Sequence, residues 1–166
     1  MSIREGINNV STWDLLKGAG IGVINAVLLS AIMVPLFRAG VSPLPEPLGL
    51  AFAETLLNRP LPLPIGLLFH IAWVTLWSMV YVALFRDRLT FGNALLVALI
   101  LWASVLFFFF PFVGWGFLGL KIGPMLIAAS AVPHFLFALF LWALSKFSFG
   151  KPTEEERAAR RRQAYA

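Results

Sequence analysis

Four unbroken apolar runs decide what this chain can become: Gly18–Phe37 (GAGIGVINAVLLSAIMVPLF), Ile65–Phe85 (IGLLFHIAWVTLWSMVYVALF), about Asn93–Phe112 (NALLVALILWASVLFFFFPF) and about Met125–Phe147 (MLIAASAVPHFLFALFLWALSKF). Each reaches the length of about 20 residues that a helix needs to cross the hydrocarbon core. Inside lipid only helices and closed barrels satisfy their own backbone, and a run without alternation is not a barrel strand. Composition agrees: 60% of the chain is hydrophobic and 13% charged, against roughly a quarter charged in soluble domains. The expected fold is an all-α membrane protein with four transmembrane helices.

The basic residues set the orientation. Arg4 and Lys17 precede the first run, and Arg86 and Arg88 lie in the tight RDRLT link. Lys146, Lys151, Arg157, Arg160, Arg161 and Arg162 follow the start of the last exit. The other side holds Arg38, Arg59 and Lys121 alone. The positive-inside rule then places both termini in the cytoplasm. The chain divides into a cytoplasmic segment over 1–17, a transmembrane domain over 18–147 with a proline-rich outer loop at 38–64, and a charged cytoplasmic tail over 148–166. The first run is longer than the apolar core of a signal peptide, and LFRAG is no small-x-small cleavage site, so it reads as an uncleaved anchor.

A net charge of +5 does not imply nucleic acid, because the basic residues cap apolar runs rather than line a face between stackable aromatics. Arg160, Arg161 and Arg162 suit anionic lipid headgroups at roughly 1 kcal/mol each, although a plain topology anchor is the preferred reading. STWD (Ser11–Asp14) has the form of a capping box ahead of the first span, with Trp13 at headgroup level. In the outer loop, PLGLAFAETLLN suits a short interfacial helix with Pro47 at its first turn. The absence of cysteine removes disulfides, thiolate metal sites and thiol nucleophiles.

The two halves resemble each other. Pro35 is followed five residues later by Gly40, and Pro111 five residues later by Gly116. Each exit leads through an outer loop into a span with one histidine, His70 or His134. These precede their cytoplasmic span ends by 15 and 13 residues, so a parallel repeat of two helical hairpins sets both imidazoles at similar depth. The order of glycine-started span, proline and glycine exit, HIAW…Y span, and a second pair ending PHFLFALFLW resembles the YagU-like inner-membrane proteins, small bacterial proteins of unknown function. The resemblance spans roughly Gly18–Leu144. It implies a four-helix protein of the bacterial inner membrane and brings no activity with it.

An ionisable side chain within a span is costly and points to function with a partner. His70 shares a helical face with Trp73, Trp77 and Tyr81, and His134 shares one with Ser130, Ala138 and Leu141; both faces are expected to turn inward. Hydrogen bonding across the bundle is the preferred role for the two imidazoles. The alternative is haem b, held between the rings from facing helices, with Ser130 or a backbone carbonyl fixing the second ring nitrogen. Gly18, Gly22, Ala26 and Ser30 form a small-residue stripe for close helix contact, within the chain or between chains, with Asn25 bonding beside it. Phe107–Phe112 with Trp115 reads as an outer aromatic belt. Glu46 and Glu54 are a candidate carboxylate pair whose spacing fixes no geometry. No nucleophile elbow, phosphate loop or zincin motif occurs. The expected function is a non-catalytic membrane component, surrounded by lipid bilayer, that self-associates or packs with other membrane subunits. A haem-binding electron-transfer or haem-handling protein is the alternative, and a small channel or carrier the second.

Overall fold

The computed structural model describes residues 10–150, and among them every regular element is helical. In chain order these are α1 (Thr12–Arg38), α2 (Leu48–Leu57), α3 (Leu63–Phe85), α4 (Phe91–Phe112) and α5 (Met125–Phe149). A single 3₁₀ turn at Phe117–Gly119 lies between α4 and α5. Four of the helices, α1, α3, α4 and α5, are long and apolar enough to cross a membrane.

Local chemistry sets the boundaries. The Ser11 hydroxyl accepts the Asp14 N–H at 3.1 Å, and the Asp14 carboxylate accepts the Ser11 N–H at 3.1 Å. This reciprocal box satisfies two orphan donors and starts α1 at Thr12. Residues 12–17, expected in a separate cytoplasmic segment, are therefore the first turns of the first span. The Thr90 hydroxyl accepts the Asn93 N–H at 3.2 Å and starts α4. Near its far end α4 widens into a π turn over Val105–Phe109, where the Phe110 N–H reaches the Val105 carbonyl. Pro111 follows at once. A proline ring clashes with the carbonyl four residues back, and a wider turn is one way a helix accommodates it.

Between apolar helices in lipid there is no water to expel, so close approach and hydrogen bonds hold the bundle. α1 packs along α3, α4 along α5, and α1 also meets α5. The tightest contact is at Gly22, where an added Cβ would lie 2.5 Å from the Thr75 Cα. Gly18 approaches Met79 in the same seam, and Ala26 is fully buried. Three of the four small residues of the stripe thus serve contact within the chain, while Ser30 lies further along, where α1 and α3 part.

α2 is docked on α3. Its Gly49 meets the Gly66 carbonyl of α3, and a Cβ on Gly66 would stand 2.6 Å from the Leu50 Cα. Ala51 of α2 then joins Val105, Phe109, Phe110, Trp115 and Leu126 in a core at this end of the bundle. The expected aromatic belt is accordingly split. Phe107, Phe108 and Phe112 are exposed, whereas Phe109, Phe110 and Trp115 are buried. A second core, with Ile21, Leu29, Val74, Tyr81, Leu101 and Phe137, fills the middle of the bundle.

The opposite end is tied by charge. The Arg86 Nε donates to Asp14 Oδ1 at 2.9 Å. The Arg86 guanidinium also lies 4.3 Å from the centre of the Phe149 ring, with Lys17 Nζ at 5.4 Å from the same ring. The start of α1, the α3–α4 link and the end of α5 therefore meet at one end.

Candidate functional site

Where α1 and α3 diverge, the helices enclose a partly open cavity of about 480 Å3. The wall is mostly apolar: Met33 and Phe37 of α1, Phe52 of α2, Trp73 of α3, Phe109 of α4 and Phe137 of α5 all face it. Into this wall the chain sets Ser30, Ser42, Glu46, His70, Ser130 and His134. His70 and His134, 64 positions apart in the chain (134 − 70), line the same chamber.

One of the two imidazoles is held by a backbone carbonyl. His134 Nδ1 lies 2.7 Å from the Ser130 carbonyl oxygen one turn earlier on α5. A carbonyl only accepts, so Nδ1 carries the proton and the Nε2 lone pair is left without a proton in the neutral ring. His70 stands on α3 near the Ala26 backbone of α1, and its neutral ring likewise keeps one unprotonated nitrogen. Neither ring has a carboxylate holding it.

The neighbouring polar groups are largely satisfied. The Ser130 hydroxyl accepts the Trp102 indole N–H at 3.0 Å and donates to the Ile127 carbonyl at 3.1 Å. Pro133, which also lines the cavity, has no N–H, so the Ala129 carbonyl loses its i+4 donor. Asn25 is fully buried between α1 and α5, and its Nδ2 donates to the Phe137 carbonyl at 3.2 Å. Its Oδ1 has no partner, and nothing in the surrounding structure accounts for that.

At the rim, the turn through Pro47 into α2 brings Glu46 and Glu54 together. Burial, followed by the Glu54 carboxyl beside it, pushes the Glu46 carboxyl up from the usual carboxylate range. Glu54 Oε1 also accepts the Leu61 N–H at 2.8 Å, which ties the end of the loop to α2. The pair is visible in the sequence as two acids eight positions apart, but its closure depends on a proline turn and a short helix that spacing alone does not set. Reading the sequence singles out Glu46 as one of two acids but does not place it in the wall of the histidine chamber.

The lining does not favour the haem alternative. Each ring offers one nitrogen free of a proton, as an axial ligand must. Haem also carries two propionates, and none of the lining residues is Lys or Arg, while Glu46 stands at the rim. The described residues hold no group of three or more His, Cys, Asp or Glu placed for a metal ion. Arg160, Arg161 and Arg162 lie outside the described residues. No protein-family model, curated protein or solved structure matches the chain.

Proposed function

We propose that the chain is a non-catalytic component of the bacterial inner membrane, with both termini cytoplasmic, whose interhelical cavity takes up an amphiphile with an apolar body. The observation that carries this reading is the chamber itself. Small-molecule sites are concave and mainly apolar, with a few convergent polar groups that fix orientation. Here two imidazoles, one of them held by a backbone carbonyl, line one aromatic-walled space. The Ser130 hydroxyl beside His134 is already spent on the Trp102 indole and the Ile127 carbonyl, so a binding role fits better than a catalytic one. The YagU-like resemblance belongs to the same proposal.

Two similar hairpins are supported by their exits. Gly40 and Gly116, each following its proline at the same interval, both take positive φ, 70° and 80°. Self-association through the small-residue stripe has less support, because α3 already occupies Gly18 and Gly22. Any partner subunit would have to use another face.

The test uses the protein in phosphatidylcholine nanodiscs and 12-bromododecanol, whose bromine quenches nearby indoles. Trp73 lines the chamber. The expected result is a saturable loss of tryptophan emission that disappears in Trp73→Phe and in the chamber-filling Ala129→Phe variant. A linear loss, identical in all three proteins, sinks the reading.

A further inference from the structure

We infer that the head of the cavity's occupant is a protonated amine, on a single alkyl chain that carries no phosphate. This rests on the proposed binding reading and adds the chemistry of the ligand. Several of the groups lining the chamber are acceptors. His134 spends its one N–H on the Ser130 carbonyl, and His70 stands near the Ala26 backbone. The nitrogen that remains on each neutral ring can only accept. Pro133 frees the Ala129 carbonyl, another acceptor. The side-chain donors left along the wall are the hydroxyls of Ser30 and Ser42 and the indole of Trp73, all uncharged, and the uncapped start of α2 adds the Leu48 and Gly49 N–H groups.

Charge points the same way. Glu46 is the one ionisable acid among the lining residues, and no Lys or Arg joins it. Glu54 stands beside it, so the rim carries two carboxyl groups and no cationic side chain. A carboxylate or phosphate head would bring a further acidic group to that rim and leave the imidazole lone pairs without a donor. An ammonium supplies three donors and forms charge-assisted bonds, about twice as strong as neutral ones. The faces of Trp73 and Phe109, packed edge to face at a centroid distance of 5.3 Å, add an electrostatic surface that attracts cations. The remaining apolar wall takes the chain.

The experiment compares three probes in the nanodisc quenching assay: 12-bromododecylamine, 12-bromododecanol and 12-bromododecanoate, with affinities expressed per probe dissolved in the lipid. The amine is expected to bind more tightly than the carboxylate by roughly tenfold or more, with the alcohol between them. Glu46→Gln should weaken the amine several-fold and leave the alcohol unchanged. His134→Phe should weaken both donors, and His134→Gln, which restores an acceptor, should recover part of the loss. Unlabelled dodecylamine should displace the bound amine, and lysophosphatidylethanolamine should not. Equal or tighter binding of the carboxylate, or displacement by the lysolipid, overturns the amine assignment while leaving the binding site intact. Absence of saturable quenching by all three probes overturns both.

Discussion

Gly22 and His134 show how much one residue decides in a bundle with few polar contacts. At Gly22 the backbones of α1 and α3 come so close that a methyl would meet the Thr75 Cα rather than a movable side-chain end. Overpacking against backbone costs about 1–3 kcal/mol. Gly22→Ala should therefore lower stability by that amount in mixed-micelle SDS titration, whereas Gly20→Ala, with open space around its Cβ, should change little. Equal effects at the two glycines would show that the seam is looser than described. His134 depends on its predecessor instead. Pro133 cuts one helical bond, and the next residue's ring bonds to the Ser130 carbonyl. A polar ring beside a proline is readable in the sequence, but its choice of tautomer is not, because that follows from a carbonyl one turn away.

Among the elements, α1 has the clearest start signal. Asp14 closes the capping box and also accepts from Arg86, 72 positions later. Ser11→Ala should cost about 1 kcal/mol, and Asp14→Ala more than that, since it removes the box and leaves Arg86 unpaired. Arg86→Ala should fall between them. The same SDS titration ranks the three, and a silent Asp14→Ala would show that the clasp contributes nothing.

The span positions, the cap and the short outer helix were all legible in the sequence, because length, hydropathy and proline placement are local properties. The buried half of the phenylalanine run was not. In FFFFPF every residue is equally apolar, and only the π turn before Pro111 sorts Phe109 and Phe110 inward from Phe107 and Phe108. The approach of Glu46 to Glu54 was likewise hidden, since it needs α2 docked on α3. For the site, the two histidines and Glu46 could each be named from the sequence, but their meeting in one chamber could not.

At the scale of the whole molecule, topology is the property on which the rest turns. The chain has no cysteine, so single cysteines give clean labelling. Cysteines at Ser11, Asp87 and Ser148 should react only with reagent applied from the cytoplasmic side, and those at Asn58 and Lys121 only from outside. Asp14, Arg86 and Phe149 meet at one end of the bundle, so the first three positions must report together whichever way the protein is inserted. Reversal of all five would invert the orientation proposed here. A split among the first three would contradict the bundle itself.

The meeting of Gly49 and Gly66 has a consequence for the ligand's girth. Where two main chains touch directly, no rotamer stands between them that could swing aside for a wider guest. On that flank the chamber's bore is fixed by peptide dimensions, whereas the rings of Trp73 and Phe109 elsewhere in the wall can turn. The proposed single-chain guest suits the rigid flank, and one with a second alkyl chain would need its extra room beside those rings.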